Sequence, residues 1–243
     1  MSSPSRSQAL QRRYTFEFEL GIWTFGSNQV VKDRKTGTQK TCKSVIKAWV
    51  KDPDDVCARL TSLKDLSHPQ VSSICDIIED AEHIYIISDR CTGGDLNDWM
   101  DQLDEQHWLQ EEIIAAYIGQ ALVALAYCHA NHVYHHDLSP SSIMLTSRLP
   151  DARVMVSDFG LQAILDPDNK EARRNPSPYV APELISDAGR VLGGGAPDVW
   201  SIGAIAHLLL VGKEPGTDAS WDLGPGNFLL GLRDGSEWAE RSS

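Results

Sequence analysis

Residues 133–145 read VYHHDLSPSSIML, and residues 156–160 read VSDFG. The first stretch carries two histidines, an aspartate and three serines between two apolar ends. Because zinc is often bound by cysteine and histidine at short spacing, the longer run CHANHVYHHD at 128–137 could alone be a metal cluster. The stretch could also belong to a hydrolase, or to a phosphotransfer loop that has lost some of its usual residues.

The order of the neighbouring motifs favours the phosphotransfer loop. TCKSVIK at 41–47 places Lys43 on a predicted strand, and YVAPE at 179–183 and PDVWSIG at 197–203 follow VSDFG. Together these motifs resemble the eukaryotic protein kinase domain, from about Tyr14 to Ser243. The segments LSHPQV, EDAEHIYIIS and CTGGDL are especially similar to calcium/calmodulin-dependent and calcium-dependent Ser/Thr kinases.

The resemblance implies an α+β, bilobal protein-kinase-like fold. We expect a small antiparallel-sheet N-lobe over about residues 14–90 and a mostly helical C-lobe over about 91–243. Apolar and polar positions alternate over residues 14–50, as in strands, while residues 111–130 predict a long helix that is apolar on several faces and therefore buried. GSEWAERSS at 235–243 resembles the linker before the family's last helices, which implies that the C-lobe lacks them.

Composition narrows the location and the partners. The formal charge of −12 argues against nucleic acid or an anionic membrane as a partner. The five cysteines form no CxxC pair, which indicates reduced thiols in the cytoplasm or nucleus. The apolar run at Ile202–Val211 is too short to span a bilayer. Residues 1–13 are predicted to be a disordered tail, although their Ser- and Arg-rich composition is also that of a transit peptide.

The resemblance assigns catalytic and cofactor roles to individual residues. It implies ATP and Mg²⁺ as cofactors and a protein as the substrate or partner, and leaves the oligomeric state open. Asp137 is the expected catalytic base, Lys43 the expected phosphate contact and Asp158 the expected Mg²⁺ ligand. The remaining residues expected to bind the nucleotide are Gly21, Gly26, Asp89, Cys91 and Met144.

Several positions depart from the family pattern near the expected phosphates. Ser142 replaces the asparagine that holds the second Mg²⁺, and a serine hydroxyl is the poorer ligand. Ser139 replaces a lysine beside the transferred phosphoryl group, a loss of positive charge that could lower the rate ~100-fold. Arg59 aligns with the glutamate that should pair with Lys43, and Asp55 is the nearest possible substitute.

The expected roof of the nucleotide site, GIWTFGSN at 21–28, is altered as well. Trp23 replaces a glycine where the backbone must approach phosphate closely, so its side chain is expected to obstruct that path. Asn28 and Thr41 are polar where the family covers adenine with apolar groups. Ser88 is a small gatekeeper, which predicts a pocket behind adenine that admits bulky substituents.

Other positions keep the residues that hold the kinase architecture together. Leu63, Ile74, His135 and Phe159 match the apolar column that joins the lobes, and Asp198 matches its anchor. In contrast, His136 replaces the arginine that receives an activation-loop phosphate. The loop at 161–175 contains no Ser, Thr or Tyr, so no phosphorylation switch is expected within it.

These observations leave two main functional hypotheses. The first is a Ser/Thr protein kinase with strongly impaired phosphotransfer, supported by Lys43, Asp137 and Asp158. The second is a pseudokinase that acts as a scaffold or an allosteric partner, supported by the altered roof and catalytic loop. A third, a nonfunctional fragment, rests on the expected absence of the last helices.

Overall fold

The structure is a computed structural model that describes residues 8–101, 111–149, 151–168, 170, 177–185 and 194–215. Its strands are β1 (Tyr14–Trp23), β2 (Gly26–Asp33), β3 (Gln39–Ile46), β4 (Ile74–Glu79), β5 (His83–Asp89), β6 (Gly94–Asp95), β7 (Ile143–Leu145) and β8 (Val154–Val156). Its α-helices are α1 (Gln8–Arg13), α2 (Pro53–Ser62), α3 (Leu96–Met100), α4 (Glu111–Ala130), α5 (Leu161–Leu165), α6 (Pro182–Ile185) and α7 (Ala196–Val211). Short 3₁₀ turns occupy Lys47–Trp49, Leu63–Asp65 and Pro140–Ser142.

The first part of the chain forms a five-stranded antiparallel sheet in the order β1-β2-β3-β5-β4. Alternating residues of the inner strands pack on opposite faces, as the period of two predicts. On β5, Ile86 packs into the main core, whereas Ile87 packs into a smaller cluster on the other face. Helices follow the sheet, which is the predicted α+β arrangement.

The prediction of a disordered tail over residues 1–13 is wrong for its last six residues. These residues form α1, and Leu10 is fully buried against Tyr14, Val31 and other members of the smaller cluster. A six-residue helix has little stability of its own, so burial of Leu10 and the hydrogen bonds of Gln11 and Arg13 to the sheet hold it in place. Residues 1–7 lie outside the described residues.

Helix α4 was expected to be buried, and it is buried along one face only. Ala121, Leu125 and Cys128 lie in the main core, whereas Leu122 and Val123 are exposed. Of the helices described, α4 is the one that is long and apolar enough to cross a membrane by length and composition. Core helices of globular proteins pass the same test, and α4 packs against α7 and β8.

The C-lobe places a small three-stranded sheet, β6-β7-β8, beside the helices. This sheet positions two segments of the predicted active site. Strand β7 directly follows the turn Pro140–Ser142, and β8 ends two residues before Asp158. The expected lack of the last C-lobe helices concerns residues 216–243, which lie outside the described residues.

Candidate active site

The loop at 133–142 is fixed by one buried carboxylate. Asp198 at the start of α7 is fully buried and accepts backbone N–H bonds from His135 at 2.9 Å and His136 at 2.7 Å. Its Oδ2 also lies 2.8 Å from Nε2 of His129. His136 adopts a positive φ of 61°, a conformation that non-glycine residues rarely adopt without such support. Asp198 therefore sets the backbone that presents Asp137.

The histidines of this loop are used in contacts within the protein. Nε2 of His135 lies 2.8 Å from the Ser157 carbonyl, and its ring packs edge-on against Phe159 at 5.3 Å. Nε2 of His136 lies 3.0 Å from the Gly194 carbonyl. In the described parts of the chain, no group of three or more His, Cys, Asp or Glu residues could hold a metal ion. Structural hydrogen bonding thus accounts for His135 and His136, two of the residues that suggested a zinc cluster.

The expected apolar column that joins the lobes is present as packing. Leu63 and Phe159 are buried, and with Ile74 they line one small cavity. His135 continues the column through its ring contact with Phe159 and reaches Asp198 through its backbone.

Lys43 pairs with Asp158. Its ammonium group donates a short hydrogen bond to Oδ2 of Asp158, which also accepts from the Ser157 hydroxyl at 3.1 Å. Burial opposes ionisation of Asp158, but Lys43 and the Ser157 hydrogen bond outweigh it and hold the pKa of this carboxyl below its usual value. Asp158 is therefore an anion at neutral pH, and its charge is already matched by Lys43.

Asp137 shows the opposite shift. Burial raises its pKa, the nearby negative charge of Asp158 adds to the rise, and Lys43 and His135 oppose it. A carboxyl that holds a proton more readily is better suited to accept one from a hydroxyl group. This environment is compatible with the role of base that the motif predicts.

Arg59 makes different contacts from those expected. We expected it to face Lys43, with Asp55 as a possible substitute partner for the lysine. Instead, Arg59 donates to the Ala163 carbonyl of α5 at 3.0 Å and lies 3.6 Å from the carboxylate of Asp55. The proposed pairing of Asp55 with Lys43 is thus wrong, because Asp55 pairs with Arg59 on its own helix and Lys43 pairs with Asp158.

Two neighbouring cavities lie between the sheet and the helices. We call the first, of about 520 Å³, the nucleotide cavity, and the second, of about 330 Å³, the catalytic cavity. The predicted residues that line the nucleotide cavity are Gly21, Lys43, Asp89, Cys91, Met144 and Asp158. Those that line the catalytic cavity are Lys43, Asp137, Ser142 and Asp158, together with Ser139.

Gly26 is the predicted site residue that lines neither cavity. A Cβ at this position would lie 2.2 Å from the Ser44 carbonyl oxygen. The close approach of β2 to β3 is by itself enough to require a glycine at this position.

Trp23 occupies the boundary between the two cavities. Its indole N–H donates to the Ser44 carbonyl at 3.0 Å, and its ring meets Phe25 edge-on at 5.4 Å. Nζ of Lys43 lies 5.1 Å from the centre of the same ring. The side chain therefore points inward and is held on three sides, as expected for an obstruction of the phosphate path.

The segment after the gatekeeper has partners of its own. Asp89 forms an ion pair with Lys40 at 2.7 Å. Cys91 lies 3.7 Å from the sulfur of Met155, and burial raises the pKa of its thiol to about 11. Sequence motifs gave no signal for Lys40, nor for Arg148, which lines the nucleotide cavity from the loop after β7.

A cavity does lie behind Ser88, but its volume is only about 20 Å³. That is room for about one water molecule. Leu63, Phe159 and Leu161 line it from the other side. The bulky substituents that a small gatekeeper was predicted to admit do not fit this arrangement.

The residues that line the two cavities fit the nucleoside part of ATP but do not fit its triphosphate. The nucleotide cavity has the size of typical small-molecule sites and an apolar floor at Met144. In the direction of the triphosphate, however, Trp23 projects into the boundary and Lys43 is already paired. Mg²⁺ in such sites is held largely through the phosphates, so it shares this misfit.

Comparison with known proteins agrees with the geometry. A family model described as protein kinase domain matches residues 14–222. A calcium/calmodulin-dependent protein kinase type 1 from Macrobrachium nipponense is 31% identical over 85% of this chain and 59% of its own length. Calcium-dependent protein kinase 22 from Arabidopsis thaliana is 31% identical over 85% of this chain and 42% of its own length. The ovarian-specific serine/threonine-protein kinase Lok from Drosophila melanogaster is 29% identical over 94% of this chain and 52% of its own length. The chain thus spans about half the length of these relatives.

Proposed function

The chain belongs to the protein kinase domain family, and on this premise we propose that its transfer of phosphate from MgATP to protein Ser or Thr hydroxyls is strongly impaired. The predicted α+β, bilobal kinase fold and the resemblance to calcium-dependent kinases are confirmed by the same comparisons. Ser/Thr kinase activity is the reaction that the name of the relative Lok states. How much of this activity the chain retains depends on the residues that line the nucleotide and catalytic cavities.

The observation that carries the proposal is the inward position of Trp23 against Lys43. Catalysis of phosphoryl transfer depends on positioning and on positive charge around the phosphates. Here the lysine that should receive them is bound to Asp158 and covered by an indole ring. Ser139 and Ser142, which line the catalytic cavity, supply neither a positive charge nor a strong metal ligand.

The assay measures phosphate incorporation into a mixed Ser/Thr peptide library with MgATP. Typical protein kinases turn over at about 1–100 per second. We expect the rate of phosphate incorporation by the natural chain to stay within about three-fold of the rate of Asp137→Asn, which lacks the expected base and measures the background of the assay. The revertant Trp23→Gly/Ser139→Lys/Ser142→Asn should exceed both. A rate for the natural chain about 100-fold or more above that of Asp137→Asn would show that the proposal is wrong.

A scaffold or allosteric role is the second candidate function. It is favoured by the contrast between the phosphate path, where Trp23 projects beside Lys43, and the intact column from Leu63 to Asp198. The partner would be another protein, with neither nucleic acid nor membrane involved, as the charge of −12 suggests. The five cysteines without a CxxC pair favour the cytoplasm or nucleus as its location. A scaffold predicts that Asp137→Asn supports normal growth of the source cells. An enzyme predicts that this variant behaves like a deletion.

A further inference from the structure

We infer that the nucleotide cavity accepts an uncharged, nucleoside-sized ligand in preference to a nucleoside triphosphate. This goes beyond the impaired phosphotransfer proposed above, and it rests on that proposal in the inward position of Trp23 and in the pairing of Lys43 with Asp158. It also names a chemical class of ligand: a flat aromatic group with hydroxyl or N–H donors and without phosphates.

The boundary between the cavities is the first step of the argument. The residues that line both cavities are Trp23, Lys43, Ser141 and Asp158. A triphosphate that starts in the nucleotide cavity must cross this boundary to place its last phosphate near Asp137. A nucleoside stays on the near side, where about 520 Å³ is available.

Charge at the boundary is the second step. Among the described residues that line the catalytic cavity, Lys43 is the only lysine or arginine. The carboxylates of Asp137 and Asp158 line the same cavity. Asp158 and the indole of Trp23 already hold the Lys43 ammonium group. A triphosphate must take Lys43 away from both partners and must also approach two carboxylates, whereas an uncharged ligand does neither.

Among the described residues, the remaining part of the nucleotide cavity offers no surplus of positive charge either. The other cationic side chains described there are Arg90 and Arg148, and the carboxylates of Asp89, Asp95 and Asp98 line it as well. The side chain of Arg90 is directed to the outer face, where it lies over the Phe18 ring at 5.2 Å and donates to Gln39. The cavity is thus poorly matched to a ligand with four negative charges.

A polar atom in the roof is the third step and points to a ligand. Oδ1 of Asn28 is buried and has no hydrogen-bond partner, and Asn28 lines the nucleotide cavity. Asn28 pairs with Lys43 across β2 and β3 and with Gly21 across β1 and β2, which places it close to the boundary. Buried acceptors without partners are rare and unfavourable, so a ligand hydroxyl or N–H group here would gain a hydrogen bond.

The experiment measures dissociation constants by titration calorimetry, with adenosine, AMP, ADP and ATP as probes, each with and without Mg²⁺. In the natural chain we expect affinity to fall as phosphates are added. ATP should bind about ten-fold or more weakly than adenosine, which corresponds to about 1.4 kcal/mol. Trp23→Gly should bind ATP about ten-fold more tightly than the natural chain and adenosine within about three-fold.

Two controls separate the role of Trp23 from general damage. Trp49→Gly removes a tryptophan that is 58% exposed and lines neither cavity, and should leave all affinities unchanged. Trp23→Phe keeps an aromatic ring at the boundary and should keep the preference for adenosine. Asn28→Leu has a similar volume without the acceptor and should weaken adenosine about ten-fold.

Several results would overturn the inference. One such result is that the natural chain binds ATP or MgATP as tightly as adenosine. Another is that it shows no binding of adenosine at about 5 mM. An unchanged ratio of ATP to adenosine affinity in folded Trp23→Gly would remove Trp23 as the determinant. If the natural chain transfers phosphate and still binds adenosine more tightly than ATP, only the proposed function is refuted. If it neither transfers phosphate nor binds adenosine, only this inference is refuted.

Discussion

Replacing Asp198 with asparagine is expected to destabilise the protein far more than its nearly identical shape suggests. The carboxylate is fully buried and is an acceptor on both oxygens. Oδ2 accepts from the backbone N–H of His135 and lies 2.8 Å from Nε2 of His129, while Oδ1 accepts from the backbone N–H of His136. An amide has one accepting oxygen and one donating nitrogen, so either orientation sets its NH₂ group against at least one of these donors.

The size of the effect follows from this count. One hydrogen bond to a charged group is lost, at about 1.5–3 kcal/mol, and a buried donor loses its partner, at about 1–3 kcal/mol. We therefore expect the free energy of unfolding to fall by about 3 kcal/mol or more, out of a total of about 5–15 kcal/mol. For a chain of this length that corresponds to a fall in Tm of about 6–12 °C.

The free energy of unfolding is measured by urea denaturation, together with the slope that reports the surface exposed. The matched control is Asp151→Asn, since Asp151 is exposed, and it should change the free energy by no more than about 0.5 kcal/mol. If Asp198→Asn loses less than about 1 kcal/mol with an unchanged slope, the carboxylate does not anchor the loop as argued.

Two further predictions concern stability. Gly26→Ala should lower the free energy of unfolding by about 2 kcal/mol or more, because its Cβ would lie 2.2 Å from the Ser44 carbonyl oxygen. Gly119→Ala, on α4 with open space around its Cβ, should instead raise it by about 0.5–1 kcal/mol; equal effects in urea denaturation would contradict the glycine argument. The pH dependence should follow Asp158: because Lys43 and Ser157 lower its pKa in the folded protein, its contribution is present above the usual aspartate pKa of about 3.9 and is lost as pH falls through the lowered folded value. Asp158→Asn should flatten the acid limb of stability against pH, and an unchanged limb would count against the ion pair.

Local pattern predicted most of the architecture. The alternation over 14–50 becomes β1, β2 and β3, because a half-buried strand selects apolar residues at every second position. The loop at 133–145 was assigned from the order of the surrounding motifs, and Asp198 indeed fixes it across 62 positions from His136. A contact such as this one can be predicted without coordinates, because each of its two residues lies in a recognisable sequence motif.

Side-chain orientation could not be predicted in the same way. The sequence placed Trp23 in the phosphate path, but its inward position depends on a carbonyl of β3 and on Lys43. Arg59 was expected beside Lys43, and the packing of α2 on α5 turns it toward Ala163 instead. Helix α1 depends on burial of Leu10 on a sheet formed later in the chain. Each of these outcomes is decided by distant partners.

The departures from the family pattern are coupled through Lys43. With Arg59 directed to α5, α2 presents no carboxylate to the lysine, and Asp158 and the Trp23 ring take that place. Removing Trp23 would open the path but would leave Lys43 held by Asp158. We therefore expect Trp23→Gly/Arg59→Glu to raise ATP affinity by more than the product of the two single effects, since both substitutions would act on Lys43 and changes that share a partner are not additive. A double-mutant cycle by titration calorimetry measures this, and strict additivity would mean that Trp23 and the helix position act on ATP independently.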